Sequence, residues 1–363
     1  MVKLKVVIFM PSIIEKRKAD HIKLCATKDV AFKDKTTLLE EVELNYKSLP
    51  ELNLREIDLS TEFLGKKFSF PFIASAITGG AQVSKKINKD IAIAAQEVGA
   101  GMGLGSIRAM IQQPSLIETY FVRDVAPDIF LAGNIGVAQL KQFTPEQLNE
   151  ALTALEVNAL AIHLNSAQEA VQAEGDADFT GLVAKIAEFS DKITVPVYVK
   201  EVGHGISYDV ALALKETKIK AIDVQGAGGT SWTMVDALRH KDGFGLPFRD
   251  FGLPTAVSII EVKHALHVAT TNSTTSKKII ASGGIRNGLE AVKAIVLGAD
   301  MVGNAMPILK AQQKNGSIGV ANYLTNFKRE MEIASFLIGC QNLKELHEEK
   351  PILFGKLRQW VEE

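Results

Sequence analysis

Residues 159–179 read "ALAIHLNSAQEAVQAEGDADF", an apolar run that ends abruptly in His163, Asn165, Gln168 and Glu169. If a helical turn starts just after Asn165, then Gln168 and Glu169 fall at i+3 and i+4 from it and share its face. The question is what chemistry needs an imidazole, two amides and a carboxylate there. An amide is a weak acid or base, so Gln168 cannot drive a proton transfer by itself. His163 has a plainer reading as a core imidazole with its hydrogen bonds satisfied.

A second cluster has the form of a phosphate cradle. In "ASGGIRNGLEAVKAIVLGADMVGNAMP" (281–307), Gly283 and Gly284 follow one apolar run, and Asn304 and Ala305 close the next. Small residues there expose backbone N–H groups near helix N-termini, and Arg286 adds a fixed positive charge. Other apolar runs end in further candidates. "SAITGG" (75–80) supplies Ala76, Ile77, Thr78 and Gly79, "GNIG" (133–136) Asn134, "VYVKEVGHG" (197–205) Lys200, and "GAGGTSW" (226–232) Thr230. A structural lysine after an apolar run would be poorly solvated, so Lys200 is read as a cation facing a bound anion. Pairing with Glu201 or Asp223 is the alternative.

Bringing these groups to one place requires a particular set of elements. From residue 70 onward eight apolar runs alternate with segments of helical period: 71–76, 99–105, 129–135, 159–165, 195–202, 221–226, 278–284 and 299–305. The pattern predicts an α/β fold, a TIM (β/α)₈ barrel whose active site is built at the C-terminal ends of its strands. Near-continuous apolar strands fit a parallel sheet covered on both faces. A doubly wound sheet needs a GxGxxG turn after its first strand, which "GAGMGLGS" does not fit. Residues 1–70 are expected to form an N-terminal extension with one helix, 71–310 the barrel, and 311–363 closing C-terminal helices. Residues 240–253 read as a Gly-rich lid loop and "ATTNSTTSKK" (269–278) as a polar surface connection.

The bulk numbers exclude several classes. The 363 residues balance 41 basic against 42 acidic side chains, a net charge of −1 that implies no nucleic-acid partner. No run approaches the roughly 18 apolar residues of a membrane span, and the opening "MVKLKVVIFMPS" lacks a signal-peptide pattern. Cys25 and Cys340 lie in segments that look helical and form no CxxC, so a reducing, cytoplasmic setting is the default. HExxH and GxSxG are absent, and His264 and His267 have no carboxylate at ligand spacing, which leaves them as surface histidines.

Taken in order, "EKRKADH" (15–21), "SAITGG", "GLGSIRA" (103–109), "HLNSAQEAVQAEGD" (163–176), "VKEVGHGIS" (199–207), "GAGGTSW" and "ASGGIR" resemble the type 2, FMN-dependent isopentenyl diphosphate isomerases. The resemblance runs from about residue 14 to residue 310. It implies interconversion of isopentenyl and dimethylallyl diphosphate by 1,3-allylic proton transposition, in isoprenoid biosynthesis. Reduced FMN would be the acid–base cofactor, with Mg²⁺ on the diphosphate and a reductant such as NADPH. By motif position it implies FMN binding at the cradle and strand-end residues named above and at Ser106. Substrate binding falls to Arg17, Lys18, His21, Ser106, Arg108 and Gln168, catalytic contacts to His163, Asn165 and Gln168, and the metal to Glu169. The stretch around Arg17, which would otherwise read as a solvated helix face, becomes a diphosphate-binding lid. A homo-oligomer, tetramer or octamer, is implied as well. The chain departs from the family pattern at Ile107, Ala177 and Ala227, where an amide or a charge is common. The alternative on the same barrel is an FMN-dependent 2-hydroxy-acid oxidase or dehydrogenase, but such enzymes pair a His with an Arg after strands six and seven, and "GAGGTSW" has no His. A non-catalytic flavin scaffold would leave Asn165, Gln168 and Glu169 without use.

Overall fold

The computed structural model describes residues 13–240, 243–267 and 277–362, with the side chains of 13–17 and 19 outside that description. Eight parallel strands close on themselves: β1 (Phe72–Ala74), β2 (Gly101–Gly103), β3 (Leu131–Gly136), β4 (Ala159–His163), β5 (Val197–Lys200), β6 (Ala221–Asp223), β7 (Lys278–Ser282) and β8 (Met301–Asn304). Each lies in one of the eight predicted runs except β3, which extends one residue past its run to Gly136. Closure is made by Val302 of β8 opposite Phe72 of β1. Inside the barrel, small Ala132, Ala161 and Ala221 interleave with Ile73, Tyr198, Ile280 and Met301, so the interior is packed solid.

That interior layer is sealed from below by an element not foreseen in residues 1–70. Thr61–Phe63 pairs antiparallel with Lys66–Phe68. The turn between them places Leu64 at φ 47° and Gly65 at φ 79°, the left-handed pair that a two-residue hairpin needs. The hairpin's Phe63 and Phe68 each sit 5.6 Å from the ring of Phe130, which plugs the N-terminal face.

The opposite face is covered by the chain's beginning. The helix Ile13–Thr27 leads into an extended segment that runs along the loop after β6, with Phe32 N–H on Gly229 O at 3.1 Å and Ser231 N–H on Val30 O at 2.8 Å. The expected lid loop, residues 240–253, is described except at 241 and 242, and is tied to this segment. Asp250 Oδ1 accepts the backbone N–H groups of Lys33 at 2.8 Å and Asp34 at 3.0 Å, while Arg249 donates to Ala31 O at 2.8 Å. Of the predicted surface connection 269–278, residues 269–276 lie outside the described residues. Lys277 is buried instead of solvated, with Nζ on Thr217 O at 2.6 Å.

The helix Met306–Leu337 passes through the expected division at 310–311 and breaks at Asn315 and Gly316. Its first part follows β8, and Gln312 anchors it to the Gln82–Val98 helix through Asp90 Oδ2 at 2.7 Å. Cys25 and Cys340 are both free and buried; Cys340 lies beyond the end of this helix, not within one.

Candidate active site

The C-terminal ends of the strands and the helix Ile13–Thr27 enclose a cavity of about 740 Å³. Every candidate residue singled out above lines it except Arg17, whose side chain lies outside the described residues.

The cradle occupies the β7–β8 side. Gly283 and Gly284 adopt φ 95° and 74°, and a Cβ on Gly283 would lie 2.1 Å from Gly226 O. A Cβ on Gly229 would lie 2.6 Å from Gly284 N, so the loops after β6 and β7 touch backbone to backbone and tolerate no side chain. Two helices start nearby. Gly288–Leu297 is capped by Asn287, which accepts from Glu290 N–H at 2.8 Å, whereas Met306–Leu337 has no side-chain cap. Its first N–H groups are therefore the ones left for an anion. At the end of β8, Asn304 Nδ2 donates to Tyr323 Oη at 2.8 Å, but Asn304 Oδ1 is buried with no hydrogen-bond partner among the described residues. A buried acceptor beside a glycine cradle is what a bound group with its own N–H or O–H donors would complete. These residues fit a flavin mononucleotide.

Lys200, only 4% exposed, stands at the end of β5 directly opposite Asp223 of β6. Burial pushes the Lys200 ammonium below its ordinary pKa, against the opposing pull of Asp223 and Glu201. Burial likewise pushes Asp223 up, against the ammonium and the bonds from Ser282 Oγ at 2.5 Å and Gln225 Nε2 at 3.2 Å. Glu201 is otherwise engaged. One of its oxygens accepts the N–H groups of Val202, Gly203 and His204 at 2.6, 2.8 and 2.6 Å and shapes the loop after β5. Lys200 lines the cavity, its Nζ donates to the backbone carbonyl of Glu201 at 2.6 Å, and the charge of Asp223 favours its ammonium form.

Across the mouth, the short helix Ser166–Val171 begins just after Asn165, as its sequence predicts. Asn165 does not cap the helix with its side chain; its Nδ2 donates to Glu169 Oε1 at 2.8 Å, and Asp176 N–H donates to Glu169 Oε2 at 2.7 Å. His163 Nδ1 lies 2.8 Å from Asn134 Oδ1; since that oxygen only accepts, Nδ1 carries the proton. Among the described residues no three His, Cys, Asp or Glu side chains group to hold a metal. A cation at Glu169 would complete its shell from water and ligand oxygens, the usual mode for Mg²⁺ on phosphates.

Gln168 is oriented by a residue that sequence reasoning missed. Asp236, on the helix Trp232–His240 with a fully buried side chain, accepts from Gln168 Nε2 at 3.0 Å, His21 Nε2 at 3.3 Å and Arg239 Nε at 3.0 Å. Burial raises its pKa, but the bonds and charges of His21, Gln168 and Arg239 outweigh this and hold the carboxyl below its ordinary range. In sequence it is one acid on an amphipathic helix, and only its place one turn after "GAGGTSW" hints at the mouth. On the lid, Lys18 Nζ donates to Ser106 O at 3.1 Å and Tyr120 Oη at 2.9 Å, which packs the helix onto the loop after β2. None of the three departures from the family pattern lines the cavity: Ile107 and Ala227 are fully buried in the core, and Ala177 is at the surface.

Comparison with known proteins agrees with this geometry. The family model described as FMN-dependent dehydrogenase matches residues 11–114 and 130–352. The isopentenyl-diphosphate delta-isomerase of Pyrococcus abyssi (strain GE5 / Orsay) is 42% identical over 357 residues, covering 95% of this chain and 94% of that protein. The protein of the same name from Methanosarcina mazei is 42% identical over 356 residues, covering 96% and 94%. Among solved structures, a flavocytochrome b2 variant superposes with a TM-score of 0.69 at 19% identity over 95% of this chain and 84% of its own. A Pediococcus acidilactici protein named as a lactate oxidase does so with a TM-score of 0.69 at 17% identity over 95% and 96%. At such identities these two share the fold alone.

Proposed function

Because the chain belongs to the isopentenyl-diphosphate delta-isomerases, within the wider FMN-dependent dehydrogenase family, we propose that its mouth carries out that isomerisation with FMN in the cradle and Mg²⁺ at Glu169. The reaction is redox-neutral. One proton is added to the terminal methylene carbon of isopentenyl diphosphate and one is removed from C2, so the double bond moves by one position. Reduced FMN, when bound, supplies the acid–base capacity that the amides lack.

The chain's own residues do the rest. Asp236 takes the Gln168 nitrogen and leaves the amide's carbonyl oxygen as the end available to a proton in flight. Asn165 and the Asp176 N–H fix the Glu169 carboxylate while leaving lone pairs for a cation. Lys18, His21 and Arg108, with Arg17, neutralise the diphosphate, and the lid helix excludes water from the reacting carbons. Lys200 offers positive charge to an anionic cofactor. NADPH is the reductant, and the enzyme works in the cytoplasm as a homo-oligomer.

The observation that carries this reading is one cavity in which the glycine cradle faces the Gln168–Glu169 helix. The end of β6 presents Gln225 there and no histidine, so the 2-hydroxy-acid oxidase reading lacks its base. The test is direct: purified protein should show a flavin spectrum and, with reductant and Mg²⁺, convert isopentenyl to dimethylallyl diphosphate. Oxidation of a 2-hydroxy acid in place of that conversion would overturn the reading.

A further inference from the structure

Gln172 has no task in the mechanism above, and the fold gives it none. Its side chain is 6% exposed and lines the cavity, yet its Nε2 is buried with no hydrogen-bond partner among the described residues. The backbone beneath it is hydrogen-bonded on both sides. Gln172 N–H donates to Gln168 O at 3.0 Å, and its carbonyl accepts from Gly175 N–H at 2.9 Å. Gly175 closes the turn so tightly that a Cβ there would lie 2.0 Å from Glu169 O. Gln172 is the residue just past the end of the helix Ser166–Val171, four after Gln168 and three after Glu169, and it lines the same cavity as both.

An amide buried without a partner destabilises the free protein, and such groups are few in native structures. One that borders a ligand cavity points to a partner that arrives with the ligand. The partner must be an acceptor, because the unpaired group is a donor. Its neighbour Glu169 repels a bare anion but accepts one bridged by a cation, and Lys18 and Arg108 line the same space. Rotation about the last side-chain torsion, which is broad and roughly two-fold, turns the NH₂ toward the cavity without moving the backbone.

We propose that Gln172 is a further substrate-binding residue, its amide donating to a diphosphate oxygen beside the cation at Glu169. This rests on the reading of the mouth as a diphosphate site. The competing account is that Gln172 merely fills space. In that case leucine, of similar volume and with no polar group to satisfy, should serve as well.

The experiment compares FMN-loaded parent, Gln172→Leu and Gln172→Met. Thermal midpoints are measured alone and with Mg²⁺ plus inorganic pyrophosphate, and KM and kcat are measured with isopentenyl diphosphate. The parent should be stabilised by Mg²⁺ and pyrophosphate. Both variants should match or exceed its midpoint when ligand-free, show a smaller ligand-induced rise, and raise KM about tenfold while kcat stays within about twofold, as expected for a lost bond to a charged oxygen. An unchanged KM and a full ligand-induced rise in a folded variant would overturn the assignment of Gln172 alone. No rise in the parent, with pyrophosphate or with isopentenyl diphosphate, would overturn the diphosphate site and this inference with it.

Discussion

At the scale of single residues the site is a division of labour between groups that cannot titrate usefully and groups that hold them. Gln168 is too weak an acid or base to act alone, so its value lies in where Asp236 points it. Gln168→Ala should lower kcat far more than it raises KM, as for a contact made mainly in the transition state. Equal effects on both would reduce Gln168 to a lining residue. Asp236 adds a pH argument. Its pKa is lowered from 3.8 in the fold, so its contribution is complete above that value and is lost only as pH falls through the lowered one. Asp236→Asn should therefore lower kcat across the pH range and leave the acid limb of the profile where it was. Movement of that limb would show that Asp236 itself titrates in turnover. Glu169 differs in kind, because the proposed function assigns its carboxylate to a cation: Glu169→Gln should raise the Mg²⁺ concentration needed for half-maximal rate steeply and leave FMN content unchanged. Loss of FMN from that variant would show that the carboxylate serves the cofactor.

At the scale of elements, glycine placement and strand order make the cradle, and Gly283 tests them. Alanine there must adopt φ 95° and press its Cβ to 2.1 Å from Gly226 O, so Gly283→Ala should fold, by its far-ultraviolet circular dichroism, yet retain little FMN. Full FMN content would mean that the β6–β7 contact is not what shapes the phosphate site. The lid helix makes a separate prediction: Lys18→Ala, and Arg17→Ala with it, should raise KM about tenfold each by removing a charge-assisted contact. Parent-like KM values would return the stretch to a solvated helix face. The same elements show what a sequence discloses. The barrel strands are legible because a sheet buried on both faces writes long apolar runs, and the cradle because only glycine survives backbone contact. The hairpin 61–68 is not legible, since its two strands have three residues each and its turn is Leu64–Gly65 in place of a strong turn pair. Asp236 and Gln172 are hidden for another reason. Their types are ordinary, and only burial, which depends on the whole packed fold, makes them unusual.

At the scale of the whole molecule, no described helix is long and apolar enough to cross a membrane, and the net charge of −1 gives the surface no strong field. What the surface does carry is apolar: Phe244 and Phe251, in the loop strapped to the N-terminal segment, are 63% and 66% exposed. Such exposed rings suit a subunit contact, and on the homo-oligomer that the family resemblance implies, light scattering should report a tetramer or octamer. A monomer at micromolar concentration would leave the rings unexplained. The reaction as a whole makes the most discriminating prediction, because moving a double bond changes no oxidation state. One reduction of the bound flavin should then support many turnovers, provided oxygen is excluded. An oxidase on the same barrel must instead pass on two electrons for each product formed. The FMN-loaded enzyme would be reduced anaerobically with one equivalent of NADPH or dithionite and given a large excess of isopentenyl diphosphate with Mg²⁺, and dimethylallyl diphosphate would be counted per flavin. Product in large excess, with the flavin still reduced at the end, is the expected result. A count capped near one per flavin would mean that electrons leave with the product, and the residues around Gln168 would then need a different reaction to serve.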